Sequence, residues 1–164
     1  MISTFLADNW WLVDAAIPAV IIVGLLFGVL LTPRPRVTRV LLVLSVILVL
    51  AVALYPETIA PASGCYFSLE YWGLDKPNVI LFIPPVLLAG LLFRRPWLAI
   101  VAGSLLSVLI EVVQLLIPAI GRSCDLSDWI SNTIGAVIGG VLAFLALWIA
   151  GRLARRGRAA GERL

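Results

Sequence analysis

The chain has 164 residues, enough for one domain, and 62% of them are hydrophobic while only 13% are charged. A soluble domain is about half apolar and about a quarter charged, so this composition excludes a cytosolic enzyme, a disordered chain and an ordinary secreted domain and calls for a bilayer as solvent. The net charge is +3 and histidine is absent, which removes every mechanism built on a His base, a Ser–His or Cys–His pair, or a His metal ligand.

Five apolar runs are long enough, or nearly so, to cross a membrane as helices. They cover about Ala15–Leu31, Val37–Tyr55, Asn78–Phe93, Trp97–Ile117 and Trp129–Ala150. The predicted fold class is therefore all-α, a polytopic bundle of about five transmembrane helices. Residues 1–150 form a single transmembrane domain, and residues 151–164 an Arg-rich cytoplasmic tail. The third run is the shortest and carries Pro84-Pro85, which predicts a kinked or broken span. The first fourteen residues lack a basic start and carry Asp8 and Asp14, which argues against a signal peptide.

Charge gives the orientation. Arg34, Arg36, Arg39, Arg94, Arg95, Arg152, Arg155, Arg156, Arg158 and Arg163 all fall on one side of the five spans. The other side holds Lys76 and Arg122 with Asp8, Asp14, Glu57, Glu70, Asp75, Asp125 and Asp128. Basic loops stay in the cytoplasm, so the N-terminus is expected outside and the C-terminus inside. The Arg-rich tail reads as an orientation signal resting on anionic headgroups rather than a nucleic-acid arm. Trp10, Trp11, Trp72, Trp97, Trp129 and Trp148 fall near the span ends, where indoles act as interface anchors. Cys65 and Cys124 both lie on the outer side, in an oxidising compartment, and are expected to form a disulfide; with no His to activate it, Cys124 is not expected to be catalytic.

Polar residues inside a membrane span point to function. In the fourth span Ser104, Ser107, Glu111, Gln114 and Pro118 are spaced 3, 4, 3 and 4, which places them on one helix face. Glu111 lies about 14 residues from the inner end, roughly 21 Å along the helix, in the outer third of a core about 30 Å thick. In the fifth run Asp125, Asp128, Asn132, Gly135 and Gly139 repeat the same spacing. Its polar members lie at the outer end, while Gly135 and Gly139 lie deeper, where small residues let helices approach closely. The short loop with Gly121 and Arg122 joins the two stripes. Glu111, Gln114, Arg122, Asp125, Asp128 and Asn132 are therefore expected to converge, with Asn78 from the third span joining them. Part of this pattern has a structural reading. Asp125 fits a helix N-cap, Asp128 a first-turn acid, and Gln114 and Asn132 interhelical hydrogen bonds. Capping and glue leave Glu111 without a structural reason.

The run Glu111-Val-Val-Gln114, Gly121-Arg122, Asp125-Leu-Ser-Asp128, Asn132-Thr-Ile-Gly135 and Gly139-Gly140 resembles the VanZ-like family, whose pattern is E-x-x-Q, R, D-x-x-D, N-x-x-G and a later G. Upstream, Asn78, Phe82 and Pro84 resemble that family's N-x-x-x-F-x-P segment. The resemblance covers about Val37 to Ala150, with Pro85 and Cys124 as departures. It implies a multi-pass bacterial cell-membrane protein of the envelope. The family is named for a protein that lowers susceptibility to teicoplanin, a lipid-bearing glycopeptide, without remodelling the cell-wall precursor.

Three functions remain open at this stage. The first is an envelope protein acting on a lipid-linked or cell-surface ligand, such as a cell-wall precursor like lipid II or a lipoglycopeptide, with Gln114, Arg122, Asn132 and Asn78 binding. The second is an intramembrane enzyme acting on a glycolipid or phospholipid, with Glu111, Asp128 and Asp125 as catalytic groups. The third is a small transporter or flippase. No cofactor and no resident metal are expected, although Asp125 and Asp128 would supply oxygen ligands to a divalent cation. Membrane lipids are expected partners, nucleic acid is not, and a homo-oligomer fits the small size of the bundle.

Overall fold

A computed structural model provides the fold and describes residues 10–56, 65–66, 75–122 and 124–161. It contains five α-helices: α1 (Trp10–Leu31), α2 (Pro35–Ala53), α3 (Lys76–Phe93), α4 (Pro96–Leu116) and α5 (Leu126–Gly161). Four of them, α2 to α5, are long and apolar enough to cross a membrane, and α1 contributes a shorter apolar stretch, Ala15–Leu31. Trp10, Trp11 and Asp14 lie in its first turns. Asp8, Glu57, Glu70, Trp72 and Arg163 lie outside the described residues.

Proline sets several helix starts. Pro35, Pro77 and Pro96 occupy the first turn of α2, α3 and α4, where the missing N–H has no intrahelical partner to lose. The α1–α2 corner is fastened by the buried Thr38 hydroxyl, which donates to the Leu31 and Arg34 carbonyls at 3.2 and 3.0 Å. The α3–α4 corner turns on Arg94, which has φ 54°. After α4 a short 3-10 turn (Pro118–Ile120) ends on Gly121 at φ 73°, a left-handed position suited to glycine.

Helix α3 is the centre of the bundle and packs against all four others; its pairing with α5 is the most extensive. Small residues on α5 make that pairing close. Ala136, Ala143 and Ala146 are fully buried, and a Cβ added at Gly139 would lie 2.6 Å from the Ile83 carbonyl oxygen. At Gly135 an added Cβ would strike the Val79 carbonyl. One core cluster joins Leu31 of α1, Leu87 and Leu91 of α3 and Leu142 and Ala146 of α5. Val49, Phe82 and Ile110 join α2, α3 and α4 in another. Helix α2 is largely exposed along Val40, Val43, Leu44, Ile47 and Leu48, a surface suited only to lipid. A cavity of about 530 Å³ between α1, α2 and α3 is lined almost wholly by apolar groups such as Phe27, Leu44, Leu48 and Leu87. With no charged residue in its wall, it stands apart from the polar stripes.

Two sequence expectations need correction. Helix α3 is not broken at Pro84-Pro85; it runs unbroken from Lys76 to Phe93. Proline removes two intrahelical donors there, but its fixed φ suits a helix, and packing against the four other helices holds this central element in place. The helix that carries the fifth span does not stop at Ala150. Helix α5 runs 36 residues, so the first eleven residues of the Arg-rich segment continue the same helix past the apolar run.

Candidate polar site at one end of the bundle

Helix pairing and a covalent clamp build the site. Cys65 and Cys124 form a disulfide with Cα atoms 4.5 Å apart. Beside it, β1 (Cys65–Tyr66) and β2 (Cys124–Asp125) pair in parallel, Cys65 opposite Cys124 and Tyr66 opposite Asp125. Cys65 and Tyr66 are thus tied to the segment that enters α5.

Asp125 immediately precedes α5 and does two things. Its Oδ1 accepts from the Ser127 N–H at 2.8 Å and the Ser127 hydroxyl at 2.7 Å, which caps the helix. Its own N–H donates to Glu111 Oε2 at 2.8 Å. Glu111 is only 6% exposed, so this bond holds a carboxylate against the α5 entry from within α4. Asp128 follows in the first turn of α5, where the helix dipole favours an acid. The Asn78 side chain hydrogen-bonds to Asp128, and Arg122 acts electrostatically on Asp75, Glu111 and Asp128. The structure therefore brings Glu111, Arg122, Asp125, Asp128 and Asn78 to one end of the bundle, as the sequence spacing anticipates.

Beneath this group lies a hydrogen-bonded floor. Asn132 Nδ2 donates to Ser107 Oγ at 2.9 Å, joining α5 to α4 one turn below Asp128 and Glu111. Lower down, the Ser104 and Thr133 hydroxyls are 3.0 Å apart, and Trp129 Nε1 donates to Ser104 Oγ at 3.1 Å. Trp129 is thus a half-buried interhelical partner. Gln114 reaches away from the acidic group, since its Nε2 donates to the Ala53 carbonyl at 2.9 Å and ties α4 to the last turn of α2. Both amides are nearly buried, at 4% and 5% exposure, and both keep an oxygen, Gln114 Oε1 and Asn132 Oδ1, without a hydrogen-bond donor.

Sequence spacing missed two members. Asp75 immediately precedes α3, and its N–H donates to Ser131 Oγ at 3.0 Å, across to α5. Burial pushes the Asp75 carboxyl above the ordinary Asp range; Arg122 opposes that shift and Asp125 adds to it. Neither Asp75 nor Ser131 lies on the two predicted stripes. The only signal available was Asp75 three residues before Asn78 at the start of the same helix. Gly135 and Gly139 sit below the polar group, against the α3 backbone. Among the described residues no three Cys, Asp or Glu side chains are arranged to hold a metal ion.

The family model for VanZ/LLP1 matches residues 19–148. The chain belongs to the VanZ/LLP1 family. The matched segment runs from within α1 to within α5 and contains every residue of the polar site. It ends at Trp148, before the basic turns of α5. No curated protein and no solved structure matches the chain.

Proposed function

We propose that this VanZ-like membrane protein presents its polar site at the outer face of a bacterial cell membrane. There it engages a lipid-linked or cell-surface ligand and so lowers susceptibility to teicoplanin-type lipoglycopeptides. The observation that carries the reading is the convergence of Asp75, Glu111, Arg122, Asp125 and Asp128, from α4, α5 and the segments that enter α3 and α5, at the end of a bundle otherwise built mainly from apolar side chains.

Chemistry narrows the ligand. Four carboxylates outnumber one guanidinium, and beneath them the nearly buried Asn132 Oδ1 lacks a donor. The site is rich in acceptors, so its ligand is rich in donors: an amine or a set of sugar hydroxyls, with Arg122 exchanging a carboxylate partner for a phosphate or carboxylate of the same molecule. Both a cell-wall precursor and a lipoglycopeptide carry such groups on a lipid. The basic residues gathered at the opposite end support the outward orientation, with N-terminus out and C-terminus in.

A second reading has one observation in its favour. Glu111 is a nearly buried carboxylate beside two aspartates, a setting suited to proton transfer in an intramembrane enzyme acting on a glycolipid or phospholipid.

The test is susceptibility to teicoplanin and to vancomycin in a sensitive host expressing the wild type, Glu111→Gln or Asp128→Asn, each at equal membrane abundance. Protection against teicoplanin alone, lost in both variants, supports the proposal. Protection unchanged in well-folded variants removes the site, and no protection by the wild type removes the resistance role. Turnover of a purified envelope lipid, abolished by Glu111→Gln, would favour the enzyme.

A further inference from the structure

The far end of α5 carries a feature outside the family segment and independent of the polar site. Beyond Trp148 the helix continues for more than three turns, with Arg152, Arg155, Arg156 and Arg158 exposed. Trp148, Arg152, Arg155, Arg156 and Ala159 are spaced 4, 3, 1 and 3, which places them on one face. Arg152, Arg155, Arg156 and Ala159 line a shallow concavity of about 270 Å³.

We propose that this face is a binding site for the headgroup of an anionic phospholipid from the surrounding leaflet. Four observations support it. The first is height. With a rise of 1.5 Å per residue, a hydrocarbon core about 30 Å thick that begins near Trp129 ends near Trp148. Arg152 then lies roughly 6 Å farther and Arg155 and Arg156 roughly 10–12 Å farther. Helical side chains lean toward the helix N-terminus, here back toward the membrane, so the guanidinium groups reach phosphate level.

The second observation is order. The Arg152 guanidinium stacks over the Trp148 ring, 4.9 Å from its centroid, and Arg155 Nε donates to the Gly151 carbonyl at 3.3 Å. Each contact fixes a planar fork before a ligand arrives, and each Arg keeps further N–H donors for phosphate oxygens. The third is charge. Arg34, Arg36, Arg39, Arg94 and Arg95 are exposed at the same end, and among the described residues no carboxylate belongs to it. The fourth separates a lipid from free phosphate or nucleic acid. Trp148 is about half exposed and offers apolar surface on the membrane side of the cations. A phosphate above an acyl chain matches that order; a soluble polyanion does not.

The experiment uses the full-length protein, purified from mixed micelles containing equal phosphatidylglycerol and phosphatidylcholine, with retained lipid counted by native mass spectrometry. Wild type is compared with Arg152→Gln/Arg155→Gln/Arg156→Gln and with the loop variant Arg34→Gln/Arg36→Gln/Arg39→Gln. Far-UV circular dichroism and the intact disulfide certify the fold of each. One basic residue at a membrane surface contributes roughly fivefold in affinity, so three give at most about 125-fold. The expected result is selective retention of phosphatidylglycerol by the wild type, a fall of at least about tenfold in the α5 variant, and a markedly smaller fall in the loop variant. Excess inorganic phosphate should leave retention in place. Equal retention of the two lipids, an equal fall in both variants, or displacement by inorganic phosphate would each overturn the proposal. The first would remove lipid selectivity, the second would replace the site by net charge, and the third would make it a phosphate site.

Discussion

Replacing Gly139 with alanine should loosen the bundle at its tightest seam. An alanine Cβ there would lie 2.6 Å from the Ile83 carbonyl oxygen, 3.1 Å from the Leu87 nitrogen and 3.1 Å from Val86 Cβ. Ordinary contact needs about 3.4 Å or more, so α3 and α5 would have to part by roughly 0.8 Å. The obstruction is backbone, which no rotamer change can relieve. Overpacking of this kind costs about 1–3 kcal/mol, while alanine gains about 1 kcal/mol in helix propensity. Gly151 offers the control. It lies on the same helix, and a Cβ there meets nothing within 4 Å. Gly151→Ala collects the propensity gain without the collision, so the difference between the two variants isolates the steric cost at about 1–3 kcal/mol. Reversible unfolding in mixed detergent with increasing dodecyl sulfate, followed by far-UV circular dichroism, measures both variants on one scale. If Gly139→Ala proves as stable as Gly151→Ala, the close approach of α3 and α5 is refuted.

Further outcomes follow from the site itself. Ser107→Ala strands the buried Asn132 amide and should cost about 1–3 kcal/mol in the same unfolding assay; adding Asn132→Leu should restore part of that loss, and strict additivity would deny the bond. Thiol reagents should label Cys65 and Cys124 only after reduction, and Cys65→Ser should lower stability by at most about 4 kcal/mol, because helices that persist in the unfolded membrane state reduce the entropy a 59-residue cross-link removes. Labelling without reductant would remove the clamp. Burial raises the folded-state pKa of Asp75 above its unfolded value, so its ionised form burdens the fold above the folded pKa, and that burden fades as pH falls and vanishes below the unfolded pKa. Asp75→Asn should therefore stabilise the protein at neutral pH and lose that advantage in acid; a stability gain that grows toward low pH would contradict the sign.

The sequence by itself determined the solvent, the helices and most of the polar site. Composition fixed the bilayer, because apolar surface on this scale has nowhere else to go. The 3.6-residue period placed Glu111, Asp128 and Asn132 on facing stripes, because a helix in lipid must turn its polar residues inward. Only the tertiary structure decided which of these groups are engaged with one another. Asp125 divides its side chain and backbone between a helix cap and Glu111, Gln114 reaches across to Ala53, and Asp75 enters through a bond to Ser131, 56 positions along the chain. Such partners are set by how helices dock, and helix periodicity carries no information about that. The unbroken course of α3 through Pro84-Pro85 has the same origin: local chemistry removes two hydrogen bonds, and packing against four other helices holds the helix together.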